Sequence, residues 1–120
     1  MKRRETGALG EKIAGEFLGK NGYEILETNY RCPDGEIDII AKQRDTLVFI
    51  EVRTKKSRSF GSPEESITQV KKERLRALAE HYGQEHENLP STWRIDVVAV
   101  EMEKDGRVRR IEIIENAVEG

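Results

Sequence analysis

The 120-residue sequence has a single cysteine, Cys32, only two histidines, and no apolar stretch that approaches the ~18 residues of a membrane span. A lone cysteine excludes an internal disulfide and a cysteine-ligated zinc cluster, and nothing around it marks it as a nucleophile. His81 and His86 do not share a helical face, so they make a poor metal pair. Internal repeats and low-complexity segments are absent as well. The start, Met1 to Glu5, is charged and has no apolar run behind it, so the expectation is a cytoplasmic protein with no membrane contact. Nor is there an excess of one charge: 21 Lys and Arg stand against 23 Asp and Glu, a net −2 that by itself argues against a nucleic-acid binder.

What the chain does have is charge in quantity, 37% of all residues, spread unevenly. Residues 1–41 carry 6 basic and 8 acidic groups, 42–76 carry 10 and 5, and 77–120 carry 5 and 10. The basic excess of the middle third lies in two clusters, Arg53, Lys55, Lys56 and Arg58, then Lys71, Lys72, Arg74 and Arg76, with Gly61-Ser62-Pro63 between them. Such a patch can contact phosphates even in an acidic chain, and its plain alternative is a solvated lysine face. The length suits a single domain over residues 1–120 that buries roughly two thirds of its unfolded surface.

Leu9, Ile13 and Phe17, widened by Ala14 and Leu18, recur at helical spacing, and Asn21-Gly22 supplies a stop. Three strands follow, Tyr23 to Tyr30, Glu36 to Lys42 and Leu47 to Thr54, separated by turn residues and read as consecutive antiparallel neighbours. Two overlapping capping boxes, Ser62 with Glu65 and Ser66 with Gln69, and Pro63 at a first helical position open a second helix that runs to about Tyr82. Its apolar side carries Ile67, Val70, Leu75, Leu78, Ala79 and Tyr82. Ile95 to Val100 is a nearly continuous apolar run, as in a strand covered on both faces, and Val108 to Ile114 is a last strand after the Lys104-Asp105-Gly106 turn. The order α-β-β-β-α-β-β predicts an α/β fold with one mixed sheet of about five strands, the second helix crossing over between parallel strands.

Two carboxylates are out of place in this pattern. Asp38 is flanked by isoleucines on a strand where Glu36, Asp38 and Ile40 share one face and Ile37, Ile39 and Ala41 the other. Glu51 follows Phe49 on one face of a strand whose other face is apolar. An unpaired buried carboxylate costs several kcal/mol, so each needs a counter-charge or a metal. Either Glu51 pairs with Arg53 while Asp38 sits near a strand end in partial contact with solvent, or the two converge as hard oxygen ligands for Mg²⁺ or a similar ion. Glu11 lies at the border of the first helix's stripe, a third acid over the sheet or a first-turn acid favoured by the helix dipole. Lys71 falls on the apolar side of the second helix, where its stem can cross the core edge and aim its ammonium at the site. Asp96, in the apolar fourth strand, is ready to counter Arg53, Arg94 or Lys71, Gln69 reads as a capping residue, and Trp93 as a core or edge aromatic.

Gly10-Glu11, Gly35-Glu36-Ile37-Asp38-Ile39-Ile40-Ala41, Val48-Phe49-Ile50-Glu51-Val52-Arg53, Lys71 and Arg94-Ile95-Asp96-Val97-Val98-Ala99-Val100 together resemble the YraN family of small bacterial proteins, from about Gly7 to Val100. That family resembles archaeal Holliday junction resolvases of the PD-(D/E)XK nuclease superfamily, so the resemblance implies a restriction-endonuclease-like core. It also implies site residues: Glu11 as the first-helix glutamate, Asp38 and Glu51 with the Val52 carbonyl as ligands of Mg²⁺ or Mn²⁺, and Arg53 where the pattern has lysine. Arginine stays protonated, so Arg53 can stabilise charge or orient water but cannot serve as a general base; Lys55 lies on the same face and is its possible substitute. Two functions stay open. One is a metal-dependent endonuclease on branched or structured DNA, with Lys55, Lys56, Arg58 and Lys71 gripping the backbone; the resemblance to junction resolvases also raises a homodimer. The other is a nucleic-acid-binding module that keeps the fold without the chemistry.

Overall fold

The computed structural model describes residues 3–56 and 61–118. Helix α1 (Arg3–Lys20) leads into strands β1 (Glu24–Cys32), β2 (Gly35–Gln43) and β3 (Thr46–Lys56). A single 3₁₀ turn (Pro63–Ser66) and helix α2 (Gln69–Glu85) then connect to β4 (Thr92–Met102) and β5 (Val108–Ile114). The sheet order is β1-β2-β3-β4-β5, with β3 and β4 parallel and every other pair antiparallel. The α/β class, the mixed five-stranded sheet and the α-β-β-β-α-β-β order are therefore those read from the sequence, and α2 is the crossover that a parallel pair requires.

The helices cover opposite faces. Ala14 and Leu18 of α1 pack with Ile39, Ala41, Val48, Ile50, Val98, Val100 and Met102, while Leu75, Leu78, Ala79 and Tyr82 of α2 pack with Ile37, Ile40, Leu47, Phe49 and Ile95. β4 has apolar partners on both sides, which accounts for its continuous apolar run. α1 ends where Asn21-Gly22 predicts: Gly22 takes φ +88°, and the Tyr23 N–H donates across it to the Leu18 carbonyl at 3.0 Å. Trp93 proves to be an edge aromatic, 42% exposed, in edge-to-face contact with Phe49.

Three expectations are corrected. The second helix does not start at either capping box. Ser62 makes no side-chain cap, and the Ser66 hydroxyl donates to the Pro63 carbonyl while accepting from Arg53. The 3₁₀ turn then breaks at Ile67, and the cap of α2 is Thr68, whose hydroxyl accepts from the Lys71 N–H. Gln69 is the first helical residue rather than a cap, and Val70 is 66% exposed because the stripe begins at Leu75. The third correction concerns β2, where Ile37 and Ile39 do not share a face: Ile37 joins the α2-side core and Ile39 the α1-side core. Opposite them in β1, Asn29 has φ +53°, a left-handed residue between Thr28 and Tyr30 that breaks alternation in the paired strand. The sheet is creased there, with Asp38 at the crease.

Candidate functional site

The β2–β3 ladder runs from Gln43 and Thr46 to Ile39 and Ile50 and then stops. Beyond it the Asp38 side chain takes over the role of a strand neighbour, its Oδ2 accepting from the Val52 N–H at 2.8 Å. In an extended strand the N–H and C=O of a residue point to the same edge, so the Val52 carbonyl faces the same gap. Two clefts meet at Asp38. One, of about 330 Å³, is lined by Gly35, Glu36, Glu51, Arg53, Lys71 and Arg74 on the α2 side. The other, of about 470 Å³, lies between α1 and the β1–β2 edge and is lined by Glu11, Lys12, Thr28 and Asn29 among others.

Four carboxylates gather at this junction. Oxygens of Glu11, Glu36 and Asp38 lie within 4.8 Å of one another. Glu51, 5% exposed, adds its charge to Asp38 and Glu11. Burial, then the Glu51 charge, pushes the Asp38 carboxyl up to about 8, against the lowering effect of the Val52 N–H. Burial followed by Glu36 and Glu51 also raises Glu11. With its amide nitrogen turned toward the acids, Asn29 donates to Glu36 at 2.8 Å and to Glu11 at 3.2 Å, a bridge its left-handed backbone makes possible. Gly10 explains how α1 comes close enough: a Cβ there would lie 2.0 Å from Thr54 Oγ1, so only glycine lets the helix settle on β3 beside Glu11. The donor set, carboxylates plus a backbone carbonyl at a polar opening, is of the hard oxygen type that suits Mg²⁺ or Mn²⁺.

Cations line the other side. Glu51 Oε2 is 3.2 Å from Lys71 Nζ and 3.5 Å from Arg53 Nη1, so the expected Glu51–Arg53 pair exists but shares its oxygen with Lys71. Arg53 Nε donates to Ser66 Oγ at 2.9 Å, and the 3₁₀ turn carrying Ser66 is tied to β5 by Glu64 and Arg110 at 2.8 Å. Arg74 also borders the cleft, its Cδ beside Gly35.

The structure thus brings together Glu11, Asp38, Glu51, Val52, Arg53 and Lys71. Lys55 and Lys56 stand further along β3; the Lys55 ammonium donates to the Gly61 carbonyl at 3.4 Å and is not aimed at Glu51. Arg58 lies outside the described residues. The sequence pattern does not mark Asn29 or Ser66 as site residues, names Arg74 only within the basic cluster, and names Glu36 only as a neighbour of Asp38 on its face. Glu36 was within reach, since it precedes Asp38 by one alternation, whereas Asn29 and Ser66 depend on a crease and a turn that periodicity does not reveal. Asp96, fully buried, belongs elsewhere: it accepts from Tyr23 Oη at 2.8 Å, from Arg94 Nε at 2.9 Å and from the Asn116 N–H at 2.9 Å, so Arg94 is its partner among the three cations considered.

Among the described residues no helix is long and apolar enough to cross a membrane. Residues 10–100 match the uncharacterised protein family UPF0102, the family whose YraN name the sequence motifs suggested. A UPF0102 protein of Moorella thermoacetica is 48% identical over 117 residues, covering 98% of each chain. One from Caldicellulosiruptor saccharolyticus is 47% identical over 117 residues, covering 98% of this chain and 99% of its own. With the family match spanning most of the chain and these relatives aligned nearly end to end, this protein belongs to the UPF0102 family.

Proposed function

We propose that this protein is a metal-dependent endonuclease that hydrolyses phosphodiesters in branched or structured DNA. The observation that carries the reading is the gathering of Glu11, Glu36, Asp38 and Glu51 around the Val52 edge of β3, opposite a rim of Lys71, Arg53 and Arg74. The carboxyls of Asp38 and Glu11 are both pushed up by burial and by neighbouring acids, Asp38 by Glu51 and Glu11 by Glu36 and Glu51, and a cation would relieve that repulsion. Asp38, Glu51 and the Val52 carbonyl would hold Mg²⁺ or Mn²⁺, with Glu11 adding charge from α1. When bound, the ion supplies Lewis-acid stabilisation of a phosphodiester and eases deprotonation of water. The chain itself contributes the rest. The gap held open by Asp38 leaves the Val52 edge free of pairing with β2, the cations meet the phosphate, and Lys55 and Lys56 at the end of β3 extend the basic surface along which a backbone can lie.

The test is cleavage of four-way junction, duplex and single-stranded DNA with Mg²⁺ and with Mn²⁺. Divalent-dependent cutting that disappears in Asp38→Ala and in Glu51→Ala is the expected result. Failure to cut any DNA or RNA substrate with either ion overturns the reading.

One observation favours a second reading, a nucleic-acid-binding module without chemistry: Arg53 replaces the lysine of the nuclease pattern and is engaged by both Glu51 and Ser66. That reading predicts salt-sensitive DNA binding that survives Asp38→Ala and weakens in Lys55→Glu and Lys71→Glu.

A further inference from the structure

Two cations meet one oxygen of Glu51, and they are held in different ways. Arg53 is secured from two sides. Its Nη1 faces Glu51, and its Nε donates to Ser66 Oγ, an oxygen that must accept because the Ser66 proton is committed to the Pro63 carbonyl at 2.6 Å. The turn behind Ser66 is in turn anchored through Glu64 to Arg110. Lys71 is tied to the cleft through Glu51, with no second side-chain partner among the described residues. Its N–H is fixed by the Thr68 cap, its ammonium touches Glu51 at 3.2 Å, and its side chain is 38% exposed.

The place of Lys71 on α2 is the reason it reaches the cleft. Leu75, Leu78 and Tyr82 follow it on the same helical stripe and are buried against the sheet. One turn earlier the stripe has passed the β2–β3 core and meets the opening beside Glu51. An ammonium has three donors; with one directed to Glu51, others remain for a ligand in the cleft.

We propose that Lys71, presented by α2, is the catalytic cation of this site, and that Arg53, held by Ser66, is a positioning residue that aligns Glu51. The proposal rests on the endonuclease reading and assigns within it a lysine for the role that Arg53, at the lysine position of β3, does not fill. In the hydrolysis, a water oxygen bonds to phosphorus as the bond from phosphorus to the sugar oxygen breaks, and a water proton ends on the departing oxygen. Lys71 gives up no proton in this step; its N–H groups donate to a non-bridging oxygen on which charge accumulates. Contact with that oxygen distinguishes it from a lysine that merely grips the backbone.

The test combines steady-state cleavage of the best DNA substrate with calorimetric titration of Mn²⁺ into the nucleic-acid-free protein. Lys71→Ala is expected to lower kcat about 10²-fold with KM unchanged, the size of effect seen when one donor to a developing oxyanion is removed. Lys71→Arg should restore part of the rate. Mn²⁺ should bind Lys71→Ala at least as tightly as the unmodified chain, because the cation competing for Glu51 is gone. A raised KM with kcat retained, or a loss of Mn²⁺ affinity that accompanies the loss of rate, overturns the role of Lys71 while leaving the endonuclease reading intact. No cleavage by the unmodified chain overturns that reading and this role with it.

Discussion

Asp96 and Glu51 lie almost side by side in the parallel β3–β4 ladder, where Ile50 pairs with Asp96 and Glu51 with Val97, and both are at most 5% exposed. Their surroundings differ in kind. Asp96 faces the α1 side and accepts from Tyr23, from Nε and Nη2 of Arg94 and from the Asn116 N–H, with Gln43 holding the arginine in turn at 2.5 Å and Glu115 3.9 Å from it. Glu51 faces the α2 side with two cations at 3.2 and 3.5 Å and with Asp38 as a like-charged neighbour. A buried carboxylate surrounded by donors joins elements together, here the start of β1, the end of β2 and the segment after β5. One surrounded by a mixture of cations and other acids is left with electrostatic demand that a ligand can satisfy. Burial alone does not distinguish these two acids; the sign of their neighbours does.

The largest test of that contrast is Asp96→Ala. It strips the acceptor from a hydrogen-bonded network and leaves the largely buried Arg94 guanidinium with the more distant Glu115 carboxylate, at 3.9 Å, in place of Asp96 at 2.9 Å, so a loss of about 3–5 kcal/mol in denaturant unfolding is expected, the same with and without Mn²⁺. A loss under about 1 kcal/mol would show that the network is dispensable. Next in size is the response to metal at the Glu51 end. Mn²⁺ at 100 times its dissociation constant should stabilise the unmodified chain by about 2.7 kcal/mol and leave Asp38→Asn unmoved, measured by the same unfolding curves. Equal stabilisation of both proteins would place the ion elsewhere.

A third test is the direction of the pH dependence. The folded Asp38 carboxyl is raised from its ordinary 3.8 to about 8, so between those limits the folded chain binds more protons than the unfolded one. Stability of the metal-free protein should accordingly fall as pH rises from about 4 through about 8, and the fall should flatten in Asp38→Asn. A metal-free profile identical in the two proteins contradicts the crowding of acids described above.

How much of this could be read in advance varies by feature. The alternation around Phe49 and the continuous apolar run at Val97–Val100 identify the paired strands and the doubly covered one, because the period of a strand is a local property. Glu51 was legible as a buried acid for the same reason. The start of α2 was not, since Ser62, Ser66 and Thr68 are all competent caps and the choice among them depends on Arg53, a residue from β3 that occupies the Ser66 hydroxyl. Asn29 was not legible because its positive φ, in a strand whose residues otherwise alternate, leaves no mark in the periodicity of the sequence.

Element order, the crossover helix and charged residues among apolar ones are all legible along the chain, because each follows from local spacing. Only the tertiary structure decided that β2 and β3 part at Asp38, that α1 approaches closely enough at Gly10 to bring Glu11 to them, and that the ammonium of Lys71 shares an oxygen of Glu51 with Arg53. These are meetings between residues distant in sequence, created by strand pairing and helix packing, and a local pattern carries no information about which oxygen lies opposite which nitrogen.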